Sequence, residues 1–290
     1  MIVMATMTAE PDTLADVVYA LGDVPLHRIL YPHLGTATEE DGWKFWDHKI
    51  RAELVDGVFV VKAIDRDLLR DLLDQFVPGT DTLADVVERL GDVPLDRILW
   101  NPRPGTATEE DAIRLIDGEP KRLVELVDGI LVEKAMGYRE GLLAATFMFH
   151  IAGFVRSRNL GVVGAPDALM RLKKGGDRMP DILFTSWAKL PTADAHLGRV
   201  APFAPELAVE IHSASNRPRE IERKRREYFA AGTKLVWEVD PDARMVTVFT
   251  DPTTSSVLTM SDTLDGGSVL PGFALPLADL FNDPQLNPRP

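Results

Sequence analysis

The chain contains no cysteine, which excludes disulfides and Cys-ligated zinc and is compatible with a reducing cytoplasm. Long hydrophobic runs are missing too: the longest, around residues 142–155, is too short to span a bilayer and contains His150. The opening MIVMATMTAEPDTLADVV has neither a basic stretch nor a sustained apolar core, so no secretory signal is expected. A soluble, cytoplasmic protein with no membrane partner is the expectation. Basic excess is absent as well. The net charge is −13, and the whole acidic excess lies in residues 1–120, with 24 acids against 11 bases. Such a total argues against broad non-specific nucleic-acid binding, although the neutral remainder carries local basic clusters that do not. What is present is an ordinary globular composition: 290 residues, 45% hydrophobic and 27% charged, enough for one large domain or two smaller ones.

A duplication stands out. DTLADVVYALGDVPLHRILYPHLGTATEED at residues 12–41 returns as DTLADVVERLGDVPLDRILWNPRPGTATEED at 81–111, and ELVDGVFVVKA at Glu53 returns as ELVDGILVEKA at Glu125. Two copies are too few for a solenoid. Leu83, Val86, Val87 and Leu90 have helical spacing, stopped by Gly91 and Pro94. GTATEED offers Thr106 or Thr108 as a helix N-cap, with Glu109 or Asp111 three residues on. Asp128-Gly129 between two apolar runs signals a hairpin. In the first copy DRDLLRDLLDQF follows the hairpin as a further helix, and the repeat then restarts.

From Leu123 the spacing predicts a hairpin (123–134), a long helix (139–157), and strands near 162–172, 180–185 and 206–213. A helix at 217–231 follows, then two strands joined by PDA, a short strand and PLADLF, with LDGG read as a turn. This mixture predicts an α/β (α+β) fold, a central mixed sheet flanked by helices, with the partly duplicated extension in front. Residues 1–80 read as an accessory segment, 81–122 as the second copy leading into the core, 123–281 as the core domain, and 282–290 as a flexible tail.

In APELAVEIHSASN, Leu207, Val209 and Ile211 alternate with Ala208, Glu210 and His212. Glu210 and His212 therefore share the strand face opposite the aliphatics. A carboxylate inside a sheet costs several kcal/mol unless it is paired or holds a cation. Asp181 heads the apolar strand DILF, Glu125 sits in the hairpin, and Glu140 lies near the start of the long helix. Acids at the ends of adjacent strands can converge on a hard divalent cation, and Mg²⁺ takes one or two carboxylates plus water and phosphate oxygens. Lys224 stands one helical turn before Tyr228. It belongs to a run of six bases (Arg217, Arg219, Arg223, Lys224, Arg225, Arg226), and Arg171, Lys173, Lys174 and Arg178 precede Asp181. Both basic stretches suit a phosphate polyanion. Each residue also has a plain alternative: Glu210 a structural acid, Asp181 a turn residue, Lys224 a solvated base, Glu125 and Glu140 surface acids, His212 a cleft residue. His150, Tyr228 and Trp237 read as core.

The succession ELVDGILVE, long helix, RMPDILF, PELAVEIHSASN and KRREYFAAGTKLVWEVDP resembles the Uma-two family of restriction endonucleases, a branch of the PD-(D/E)XK nuclease superfamily, over residues 121–280. The resemblance implies a restriction-endonuclease-like fold and Mg²⁺-dependent hydrolysis of DNA phosphodiesters, with Mn²⁺ as a substitute ion. It implies Asp181 and Glu210 as catalytic metal ligands, the backbone carbonyl of Ile211 as a third, and Lys224 as the superfamily lysine moved onto the following helix. Glu125, Glu140 and His212 are auxiliary candidates, and Arg217, Arg219, Arg223, Arg225 and Arg226 are phosphate-binding candidates. Two departures are visible. His212 occupies the place where the superfamily lysine normally stands, and Glu140 occupies a helix position where many relatives have histidine. The implied partner is DNA, with a homodimer suited to cutting both strands. The alternative is a catalytically inactive nuclease-fold module that binds nucleic acid or a protein partner.

Overall fold

The computed structural model describes residues 10–284 except 32, 33, 49, 191, 193, 195 and 196. The tail expected from 282 therefore lies, from 285 onward, outside the described residues. The chain divides into two compact units. The first runs to Arg114 and includes Leu126–Glu133; the second takes Leu115–Glu125 and everything from Lys134.

In the first unit the duplication is a duplication of structure. Helices Leu14–Ala20 and Leu83–Leu90 each begin at a threonine whose backbone N–H and hydroxyl both donate to the aspartate three residues on, Thr13 to Asp16 and Thr82 to Asp85. A glycine with positive φ follows each, Gly22 just beyond the Leu21 cap and Gly91 as the cap itself, where a side chain would be strained. The GTATEED segments start helices in the same way, through Thr38–Asp41 and Thr108–Asp111. Hairpins follow, turning at Asp56-Gly57 and Asp128-Gly129, all four with positive φ. An arginine ties each hairpin back to its copy. Arg28 Nε donates to the Val61 carbonyl at 2.7 Å, and Arg97 Nε to the Glu133 carbonyl at 2.9 Å. Only the first copy adds helix Arg66–Phe76, whose Leu69 and Leu73 are buried in a cluster with Phe45, Phe59 and Val61.

The second unit is built on a six-stranded sheet whose strands run in chain order: β1 (Gly161–Gly164), β2 (Ile182–Ser186), β3 (Leu207–Ile211), β4 (Leu235–Asp240), β5 (Met245–Phe249) and β6 (Ser255–Leu258). Neighbours are antiparallel except β3 and β4, which are parallel because helix α2 (Pro218–Ala230) carries the chain back between them. Helix α1 (Tyr138–Ser157) packs Leu143, Phe147, Ile151 and Val155 against one face, where Phe147 stacks on Trp237 at 5.6 Å. Leu207, Val209 and Ile211 point into this core, as their alternation predicted. On the other face Ala208 and Val236 meet Tyr228 of α2 and Phe249.

Three expectations need correction. The single strand near 162–172 is two, β1 and Met170–Lys173, because the chain loops through Pro166, which has no N–H for a sheet ladder. Met170–Lys173 instead forms a hairpin with Gly176–Arg178. Where a single short strand was expected near the C-terminus there are three, β6 and a hairpin of Thr263–Gly266 with Leu270–Pro276. Of the expected LDGG turn, Leu264, Asp265 and Gly266 lie in that hairpin's first strand, so that the turn begins at Gly267. Finally, His150 is half-buried beside the exposed Phe149 rather than in the core.

Candidate active site

The sheet and α2 bring acids and bases together from four places in the second unit. Asp181 directly precedes β2, and its amide donates to the Val209 carbonyl, which locks it against β3. Its Oδ2 accepts the Ile211 N–H at 2.6 Å, and its Oδ1 lies 2.9 Å from Lys134 Nζ. Glu210 leaves β3 on the α2 face. Tyr228 Oη donates to its Oε1 at 2.6 Å, and Lys224 Nζ lies 3.3 Å from its Oε2. The one-turn spacing of Lys224 and Tyr228 puts both over the same carboxylate. Lys224 also approaches Glu125 Oε1 at 3.1 Å. Glu125 accepts the Met179 N–H at 3.1 Å and Arg178 Nη1 at 2.9 Å, and Arg178 continues to Glu227. Lys134 Nζ donates to the carbonyls of Met179 and Pro166.

Glu125, Asp181, Glu210, Arg178, Lys224 and Tyr228 are all buried. Removing so many charges from water is tolerable only because each meets an opposite charge or a hydrogen bond. The balance is uneven across the cluster. Burial would raise the Glu125 carboxyl, but Lys224, Arg178 and Lys134 outweigh it and bring it down to about 2. Glu210 goes the other way. Burial pushes its carboxyl up, Lys224 opposes that, and the neighbouring charges of Asp181 and Glu125 add to the rise. Burial would lower the Lys224 ammonium, yet Glu125 and Glu210 hold it above its ordinary range. Burial and Glu210 also raise Tyr228, which keeps its proton and donates it.

This donor set fits a hard divalent cation. The two acids offer only oxygen, and Asp181 Oδ1 is buried with the Lys134 ammonium 2.9 Å away but no aligned hydrogen bond. Crowded negative charge beside Glu210 is what a cation would relieve. Among the described residues, no three Asp, Glu, His or Cys side chains are grouped to hold an ion, so Asp181 and Glu210 would act as a pair, which suffices for Mg²⁺.

Of the residues singled out from sequence, Asp181, Glu210, Lys224 and Glu125 meet. Glu140 folds back over Gly137 in the first turn of α1, where a negative charge suits the helix N-terminus. His212 shares Glu210's face, but its Nε2 lies 3.7 Å from Glu238, the residue beside Glu210 in the parallel register. On α2, Arg223 pairs with Glu227, Arg226 with Glu222, and Arg225 with Glu238 while stacked on Phe249 at 3.9 Å. Arg217 and Arg219 are exposed at the start of α2. Sequence reasoning missed Lys134 and the role of Arg178, and it placed Tyr228 in the core without its bond to Glu210. One signal for Lys134 lies in the repeat itself: glutamate and lysine recur nine residues apart in both copies, as Glu53–Lys62 and Glu125–Lys134.

The comparisons agree with this architecture. A family model described as Uma2, "Putative restriction endonuclease", matches residues 110–278. No curated protein matches the chain. Among solved structures, it is similar to "a putative nuclease belonging to DUF820" from Anabaena variabilis ATCC 29413. The TM-score is 0.54 at 19% identity, covering 62% of this chain and 99% of that one. At that identity the likeness concerns the fold, which is restriction-endonuclease-like. The family match takes in α1, the whole six-stranded sheet, α2 and the buried acids, more than half of the sequence, and the chain belongs to the Uma2 family.

Proposed function

We propose that the second unit is a Mg²⁺-dependent endonuclease acting on DNA, with Asp181, Glu210 and the backbone carbonyl of Ile211 as ligands and Mn²⁺ as a substitute. One observation carries the reading: Asp181, Glu210 and Lys224, from three separate elements, meet in one buried cluster. The ion, when bound, would neutralise charge on the phosphate and make a water more acidic. The chain's own groups do the rest. Ile211 N–H orients Asp181, and Tyr228 orients Glu210. Lys224 keeps its proton, so it assists by stabilising charge that develops on the phosphate. In the hydrolysis a water oxygen bonds to phosphorus as the P–O3′ bond breaks. O3′ gains a proton through solvent, leaving 5′-phosphate and 3′-hydroxyl ends. Arg217 and Arg219, both exposed at the start of α2, are the proposed phosphate contacts. A cytoplasmic location and a homodimer that cuts both strands belong to the same proposal.

A specific observation favours a second reading, an inactive module that binds nucleic acid or a protein. Lys134, Lys224 and Tyr228 already occupy the oxygens of Asp181 and Glu210. Titration calorimetry with Mg²⁺ and Mn²⁺, with and without a DNA duplex, separates the two, together with plasmid cleavage. The nuclease reading expects binding and cleavage that both vanish in Asp181→Ala. Cleavage retained in a clean Asp181→Ala preparation would sink it. No divalent binding even with DNA present favours the module, whose DNA affinity should fall and lose salt dependence on Arg217→Ala and Arg219→Ala.

A further inference from the structure

Each copy of the N-terminal repeat completes its backbone pairing with the other. The Leu14 amide, at the start of the first helix, donates to the Ile98 carbonyl of the second copy at 2.8 Å. The amide of Leu83, the counterpart of Leu14, donates to the Ile29 carbonyl at 2.7 Å. Thr13 faces Leu99 across an antiparallel bridge, and Thr82 faces Leu30. The Trp100 amide donates to the Asp12 carbonyl, and Tyr31 pairs with Asp81. Side chains repeat the exchange: a Cβ at Gly35 would strike the Trp100 ring, and one at Gly105 would strike the Tyr31 hydroxyl. Leu14, Val17 and Ile29 share one core with Leu83, Val86 and Ile98.

Contacts in which i meets j and j meets i are the pattern of a two-fold dimer. Here both halves belong to one chain. Without the other copy, the Ile29–Tyr31 or Ile98–Trp100 segment would lose partners for its buried backbone groups. We propose that the repeat is a self-pairing module and that the first copy takes the place of the same module from a second copy of this chain. The full chain closes this face internally and does not associate through residues 12–133. Undocking the first copy hands the face around Leu83 and Ile98–Trp100 to a second chain. None of this depends on the nuclease reading.

Because the chain has no cysteine, a Thr13→Cys/Leu99→Cys pair reports without interference. The Leu14–Ile98 and Trp100–Asp12 bonds flank this pair. It is therefore a non-hydrogen-bonded antiparallel site with Cα atoms about 4.5 Å apart, within disulfide range. Mild oxidation should give a disulfide within single chains, which run at single-chain mass on a non-reducing denaturing gel. Covalent pairs of chains, or thiols that stay free, would overturn the proposal. In the full chain, Leu14→Asp should double the mass seen by light scattering relative to wild type, and adding Leu83→Asp should return it to the wild-type value. A Leu14→Asp chain that unfolds cooperatively yet keeps the wild-type mass would also overturn it. If Leu14→Asp does not fold, the cysteine pair decides.

Discussion

In the first hairpin Glu53 and Lys62 meet at 2.7 Å on the surface, both more than half exposed. In the second, Glu125 and Lys134 hold the same spacing but are buried, one on Arg178 and Lys224, the other on Asp181. The two hairpins share sequence, turn and the arginine that ties them back. What differs is the chain beyond them. After Ala63 comes an amphipathic helix that covers its copy with Leu69 and Leu73. After Ala135 come α1 and the sheet, whose α2 face supplies buried countercharges. The same glutamate and lysine are thus a screened surface pair in one setting and part of a buried ionic network in the other, and the surroundings decide which.

Mutation of equivalent residues is the direct way to break this comparison. Glu125→Ala leaves Lys224 and Arg178 buried with fewer partners and should cost about 3–5 kcal/mol in urea unfolding. Glu53→Ala should leave the midpoint unchanged. Equal effects would mean that the buried network contributes no more than the surface pair. Lys134→Met should follow, at about 2–4 kcal/mol, by stranding Asp181 without its countercharge, whereas Lys62→Met should be silent. If Lys134→Met is silent too, Asp181 finds another partner. Leu69→Ala should cost about 2–4 kcal/mol through the cavity it opens in the first copy's own cluster. That loss should leave Mg²⁺ titration unchanged, because Leu69 packs within the first copy's own cluster.

Much of the site could be read from alternation and spacing. The period of two in Leu207–Ile211 put Glu210 on the face away from the aliphatics, and the four-residue step from Lys224 to Tyr228 put both on one face of α2. Thr108 with Asp111 and Asp128-Gly129 were legible because cap and turn chemistry is local. Partners set by register were not. His212 meets Glu238 only because β3 and β4 are parallel and aligned at Glu210 and Glu238. Arg178 joins Glu125 and Glu227 from positions 53 and 49 residues away. A run of arginines on α2 reads as a phosphate-facing surface until the acids that take Arg223, Arg225 and Arg226 are placed. Pro166 did carry a local signal, but the apolar residues on either side of it masked the break.

The smallest expected effect compares the two helix caps of the repeat. Asp16 and Asp85 accept the same pair of bonds from Thr13 and Thr82, but Asp85 is also reached by Arg66 and Arg70. Arg66 belongs to the helix that only the first copy has, so the extra pairing comes from the insertion rather than the repeat. Burial works against the Asp85 carboxylate, but Thr82 and the two arginines overcome it and lower its pKa to about 2. A carboxyl depressed on folding contributes stability that is complete above its unfolded value near 4 and is lost as pH falls toward 2. Asp85→Asn should therefore cost about 1 kcal/mol at pH 7, typical of a lost cap, and the gap from wild type should close as pH drops from about 4 to 2. Asp16→Asn should show the same pH trend with a smaller amplitude. If the two amplitudes match, Arg66 and Arg70 add nothing, and the cap alone accounts for Asp85.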